Sequence, residues 1–192
     1  MSEPADVAGL VLAAGEGRRM GRPKALVTTD GTPWLARAVD VLRDAGCAPV
    51  VVVLGAASEQ ARALVPDDVA VVVAPDFASG ASASLRAGLA ALGGSTAWGA
   101  LVHLVDLPDV GPDVARRVLG AATGPSALAR AVHDGTPGHP VLIGRDHWAP
   151  VAATVRGDAG AGAYLAAHGA LEVECGDLAT GIDVDRPPRN SL

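Results

Sequence analysis

The 192-residue sequence predicts one three-layer α/β/α domain, with helices on both faces of a mainly parallel, Rossmann-like sheet. Three observations predict it. Short Val-rich runs alternate with Ala-, Leu- and Arg-bearing segments of helical period. The runs VVVVL and VAVVVA are apolar throughout, as suits strands buried on both faces. Hydrophobic residues make up 49% against 19% charged, with mean hydropathy +0.31, which is enough apolar surface to offset chain entropy. Only three Trp, one Tyr and one Phe are present, so the core has to be built from small and branched side chains.

Strands are expected over 7–13, 49–54, 69–74, 100–105, 126–132, 140–143 and 171–174. Helices fit between them over 33–45, 58–65, 83–92, 112–120, 145–155 and 161–167. Thr32 and Pro33 suit a cap and first turn, and Gly46 a stop. The segment 126–143 reads as a hairpin turning at Asp134-Gly135 and walling one side of a site. Pro187 and Pro188 discourage a long closing helix. There is no repeat and no convincing linker.

The net charge of −6 and pI near 5.2 exclude broad, sequence-independent nucleic-acid binding, which needs a basic surface. No stretch approaches the roughly 18 to 20 apolar residues of a membrane span, and the start MSEPADVAGL has no basic n-region, so the expected location is the cytoplasm. Cys47 and Cys175 share no metal or redox spacing and read as buried free thiols.

Positive charge is concentrated in one place. GLVLAAGEGRRMGRPKAL puts a glycine-rich basic loop directly after the first strand, where a doubly wound sheet opens its ligand crevice. Gly15, Gly17 and Gly21 permit positive φ and close backbone approach, so successive N–H groups can face phosphate oxygens. Arg18, Arg19, Arg22 and Lys24 stand against only Glu16. Lys24 is the single lysine of the chain, which points to a compact ammonium selected for a phosphate contact. The loop is neither a Walker A motif, since Pro23-Lys24-Ala25 replaces GK[ST], nor a dinucleotide fingerprint, since Met20 takes the place of the third glycine.

These residues fit LAAGxGxRMGxPKxL, and the chain thereby resembles the MobA-like nucleotidyltransferases. The fold implied is the nucleotide-diphospho-sugar transferase type. Leu12-Ala13-Ala14-Gly15, LAAG in place of LAGG, is similar to the molybdenum cofactor cytidylyltransferases, the extra methyl narrowing the base pocket against a purine. The resemblance implies a triphosphate, CTP, cradled by Gly15, Gly17, Arg18 and Lys24, with Leu12, Ala13 and Ala14 nearby and the base next to the two alanines.

Asp106 is expected at the C-terminal tip of the fourth clear strand, where a carboxylate can hold Mg²⁺. Asp106-Leu107-Pro108 resembles the family's strand-end motif, with Val105 where glycine is common; Asp109 and Asp113 read as caps of the next helix. Ile182-Asp183-Val184-Asp185-Arg186-Pro187 resembles its DIDTP segment, which supplies a second metal ligand, and Asp183 is preferred over Asp185. Gly80 and Ser84 lie in a stretch resembling GxxxSLxxG, which runs to Gly88, and His139 lies in a Gly-His-Pro element of the cytidylyltransferase branch. His103, His133, His147 and His168 have no ligand spacing. Arg156-Gly157-Asp158-Ala159-Gly160 resembles GDxGxR without its final arginine.

The implied reaction is transfer of CMP to a phosphate-bearing, pterin-type acceptor, molybdopterin, with Arg18, Lys24 and Asp106 as catalytic groups and a molybdoenzyme as a further partner. Two alternatives share the scaffold. One is an NAD(P)H-dependent oxidoreductase of the nicotine-blue-reductase type, for which the residues offer no dinucleotide site. The other is a nucleotide-binding protein that delivers cofactor without turnover.

Overall fold

A computed structural model of the chain describes residues 7–185. Pro187 and Pro188, and Arg186 of the DIDTP-like segment, lie outside them. The first strand, β1 (Val7–Ala13), is buried except at the half-buried Leu12. Thr28–Thr29 (β2) and Thr32–Pro33 (β3) form a small hairpin ahead of α1 (Trp34–Asp44). Then follow β4 (Val50–Leu54), α2 (Ser58–Arg62), β5 (Ala70–Val73), α3 (Ala81–Ala91), β6 (Gly99–Leu104) and α4 (Pro112–Ala121). The chain continues through β7 (Leu128–His133), β8 (Thr136–Gly144), α5 (Trp148–Thr154), α6 (Gly162–Ala167) and β9 (Leu171–Glu174).

The main sheet has seven strands in the order β5-β4-β1-β6-β8-β7-β9. β8 alone among these seven runs against the others, pairing antiparallel with both β6 and β7. Successive residues of a strand face opposite layers, and each layer has its own core. Val11 and Ala13 of β1 join Val52 and Leu54 of β4 beneath α1 and α4. Ala8 and Leu10 join Val51 and Val53 beneath α3 and α5. The three-layer, mainly parallel architecture is the one the sequence predicts, and the Asp134-Gly135 turn joins β7 to β8 as expected.

Several local expectations are corrected. Thr32 and Pro33 belong to β3, and Pro33 precedes α1 without a side-chain cap. The turn at Asp30-Gly31, with φ of 51° and 78°, pulls them into the small hairpin. The helix expected over 145–155 is divided into a 3₁₀ turn, Arg145–His147, and α5. Arg145 turns back to bond the carbonyl oxygens of Ala97 and Ser95, which ties the turn to the start of β6. Neither Asp109 nor Asp113 caps α4, whose N-cap is Gly111. Asp109 accepts hydrogen bonds from Thr180, and Asp113 pairs with Arg116. Cys47 and Cys175 are free and buried, as the sequence indicated. Among the described residues, no helix is long and apolar enough to cross a membrane.

β1 sits where the winding reverses: its crossover through α1 leads to β4 on one side, while β6, reached through α3, pairs on its other side. The carboxyl ends of β1 and β6 are thus neighbours, and the crevice between them is where such sheets bind ligands.

Candidate active site

The chain leaves β1 at Ala13 and forms the glycine-rich loop. Its shape depends on Gly17, whose φ is 61° and where a β-carbon would lie 1.9 Å from the carbonyl oxygen of Arg22. Any side chain there would force the loop apart. Gly21 also takes positive φ, while Gly15 does not. Met20 anchors the loop by burying its side chain in the core beneath α1. The loop ends in a 3₁₀ turn that begins at Lys24.

Lys24 joins three parts of the chain. Its Nζ lies 2.5 Å from Asp106 Oδ2 and 2.6 Å from Asp185 Oδ1. Asp106 stands just past the tip of β6, and Asp185 arrives from the final described segment, whose Val184 N–H donates to the Asp106 carbonyl oxygen at 3.0 Å. Arg19 pairs with the same Asp185 at 2.7 Å. Burial opposes the charged form of Lys24, but hydrogen bonds and charge from Asp106 and Asp185 outweigh it and raise its pKa above the usual lysine value. The same contact with Lys24, aided by Arg19, holds Asp185 below the ordinary carboxylate range.

Asp106, Asp183 and Asp185 each offer one carboxylate oxygen within 4.8 Å of the others. An all-oxygen set of this kind suits a hard divalent cation such as Mg²⁺ or Mn²⁺. Residues 181–185 form no strand. Asp183 and Asp185 nevertheless reach the cluster. Asp185 is half-buried against Lys24 while Asp183 is exposed, so the carboxylate ranked second in the sequence is the better enclosed.

A cavity of about 480 Å³ opens over this cluster. Leu12, Ala14, Gly15, Gly17, Arg18 and Lys24 line it from the first loop, and Gly80, Ser84 and Asp106 face them. Ala13 is buried and does not reach it, whereas Ala14 does. Arg18 is highly exposed and pairs with Glu16 at 2.5 Å. Gly80 precedes α3 with φ of 101°, and a β-carbon there would come within 2.5 Å of Gly157 and Asp158. That close approach brings Asp158 to the cavity wall, a position the sequence identified only through its loop motif.

His139 lies outside this first cavity and lines an adjoining one of about 330 Å³. Leu12, Ala81, Leu104 and Asp158 border both. Burial, outweighing the attraction of Asp106, lowers the His139 pKa to about 4 and keeps its ring neutral. His133 is structural, with Nδ1 2.9 Å from the Ala179 carbonyl oxygen. His147 and His168 pack around Tyr164 away from the cavities.

A glycine-rich basic loop, a carboxylate cluster and a lysine between them meet at the switch point of a three-layer α/β/α domain. The profile of the MobA-like NTP transferase domain matches residues 9–173, and the chain belongs to that family. It is 37% identical to nicotine blue oxidoreductase of Paenarthrobacter nicotinovorans, over 93% of this chain and 92% of that protein. It is 41% identical to 2-C-methyl-D-erythritol 4-phosphate cytidylyltransferase of Rhodococcus jostii over 67% of this chain, spanning half of that protein. Identity to the molybdenum cofactor guanylyltransferase of Rhodobacter capsulatus is 32%, over 74% of this chain and 65% of that protein. The crystal structure of Rv0371c from Mycobacterium tuberculosis in complex with manganese is 30% identical with a TM-score of 0.72, covering 93% of this chain and 94% of that one.

Proposed function

We propose that the protein is a Mg²⁺-dependent nucleotidyltransferase that transfers CMP from CTP to a phosphate-bearing, pterin-type acceptor of the molybdopterin class and releases pyrophosphate. The observation that carries this reading is the meeting of Lys24 with Asp106 and Asp185 at the floor of the glycine-loop cavity. Family membership and the resemblance to a cytidylyltransferase support nucleotidyl transfer.

The loop amides from Gly15 to Gly17, with Arg18 and Lys24, bind and orient the triphosphate. Asp106, Asp183 and Asp185 would hold the cation, which when bound neutralises phosphate charge. Lys24 then exchanges carboxylate contacts for phosphate oxygens. An oxygen of the acceptor phosphate attacks the α-phosphorus in line, the bond between the α-phosphorus and its bridging oxygen to the β-phosphorus breaks, and pyrophosphate departs. Positioning and charge neutralisation supply the rate, and no protein nucleophile takes part. Ala14, at the cavity wall, sets the base preference.

A second reading, an NAD(P)H-dependent oxidoreductase, is favoured by one observation, the full-length similarity to nicotine blue oxidoreductase. Equilibrium binding of CTP, GTP, ATP and NADPH, each with and without Mg²⁺, separates the two. Magnesium-dependent preference for CTP, followed by pyrophosphate release on adding molybdopterin, is the expected result. Binding of NADPH alone transfers the case to the oxidoreductase.

A further inference from the structure

Asp183 and Asp185 lie in a stretch, residues 181–185, that belongs to no helix or strand, so individual hydrogen bonds decide where their carboxylates stand. The best-formed of these lie at its start. Asp109 Oδ2 accepts from the Thr180 N–H at 2.7 Å and from the Thr180 hydroxyl at 2.6 Å. The same hydroxyl oxygen accepts from the Ile182 N–H at 3.4 Å, which carries the contact to the residue before Asp183. Beyond Asp183, the Val184 N–H donates to the Asp106 carbonyl oxygen at 3.0 Å. The segment thus meets the turn after β6 at two points, Asp109 and Asp106, with Asp183 between them in sequence.

The turn that carries Asp109 is a firm support. Leu107 and Val110, on either side of it, are buried in the core beneath α1 and α4. Arg37 of α1 donates to the Pro108 carbonyl oxygen at 3.2 Å. A second support comes from β7: His133 Nδ1 lies 2.9 Å from the Ala179 carbonyl oxygen, and Gly181, with φ of 64°, sits so close that a β-carbon would lie 2.1 Å from the His133 ring. Residues 179 to 181 are clamped to these two supports, directly ahead of two of the three carboxylates. Asp109 itself lines neither cavity, so it touches no ligand held there.

We propose that Asp109 is a positioning residue for the cation site: through Thr180 it fixes where Asp183 and Asp185 stand relative to Asp106. The proposal rests on the reading of that carboxylate cluster as the place of the divalent cation. Groups that orient metal ligands from behind are worth roughly ten- to a hundredfold in metal affinity. Asp109 and Thr180 are both exposed, which puts their contribution at the lower end and leaves the core independent of them.

Two measurements on the full chain test it: amide hydrogen exchange at Val184 in the metal-free protein, and Mn²⁺ affinity by calorimetric titration at about 0.15 M salt, where remote charge is screened. Asp109→Ala and Thr180→Val are each expected to speed exchange at Val184 by about fivefold or more. Each should weaken Mn²⁺ binding by about tenfold, and the double variant should lose no more than about twofold beyond either one. Asp109→Asn, which keeps an accepting oxygen without the charge, and Thr180→Ser, which keeps the hydroxyl, should both stay within about threefold of wild type. Given a wild type that binds Mn²⁺, either measurement unchanged in Asp109→Ala overturns the proposal. So does a loss of Mn²⁺ affinity as large in Asp109→Asn as in Asp109→Ala, which would make Asp109 a remote charge only. A wild type that binds no Mn²⁺, with Val184 exchange responding as expected, instead rejects the cation reading and leaves the placement of the two carboxylates by Asp109 standing.

Discussion

Lys24 Nζ and Asp106 Oδ2 are 2.5 Å apart although 82 residues separate them in sequence, and both side chains are largely buried. The ammonium therefore balances a carboxylate cluster that would otherwise repel itself, and it does so at the place where a divalent cation would bind.

Removing that ammonium should separate two effects. Lys24→Met is expected to bind Mn²⁺ about tenfold more tightly in the absence of nucleotide, because nothing competes for Asp106 and Asp185. Nucleotidyl transfer should fall by about a hundredfold or more through loss of a phosphate contact. Isothermal titration with Mn²⁺ and a pyrophosphate-release assay read the two, and unchanged turnover would remove Lys24 from the mechanism.

The three carboxylates should not contribute equally. Asp106→Asn and Asp185→Asn are each expected to weaken Mn²⁺ binding by more than about tenfold, and Asp183→Asn by less, since Asp183 is exposed. Manganese titration followed by electron paramagnetic resonance gives the ranking. Full affinity in Asp183→Asn would leave the ion to the other two.

Base selectivity is assigned to one methyl group. Ala14→Gly should move the ratio of CTP to GTP affinity toward GTP by about tenfold, the scale of one methyl in a fitted pocket. Ala13→Gly should leave the ratio unchanged, because Ala13 is buried away from the cavity. Competition binding with the two triphosphates decides it.

Stability should depend on pH through His103, which is 1% exposed and whose Nδ1 has no partner among the described residues. Burial, together with repulsion from His139, lowers its pKa from 6.5 to about 3. Between those values the unfolded chain holds the extra proton, so stability is complete above the unfolded value and declines as the pH falls through this range. The decline reaches about 2 kcal/mol near pH 5. Urea denaturation from pH 7 to pH 4 should show it, and His103→Leu should make the curve shallower, leaving the decline that His139 contributes over the same range.

The parts of the fold legible in the sequence are those where one force dominates. β1 and β9 begin and end at the predicted residues. The first is an uninterrupted apolar run, and the second is a short run set off from the α6 helix by His168 and Gly169. Competing tertiary contacts obscured other elements: Asp30-Gly31 turned Thr32 and Pro33 into a strand, although that dipeptide was a readable signal, and Arg145 broke a helix by bonding carbonyl groups near β6. In the site, glycine spacing and the lone lysine marked the loop directly. Asp185 was harder to rank because Asp183 has the same side chain two residues away, and only the return of the chain over Asp106 shows which one meets Lys24.

The contact of Lys24 with Asp185 spans 161 positions. A ribosome therefore releases the loop long before it releases this carboxylate, and a nascent chain stopped short of residue 185 holds Lys24 against Asp106 alone. Arg19 then lacks the carboxylate it pairs with, so the loop reaches its full charge balance only as the last segment of the described chain arrives.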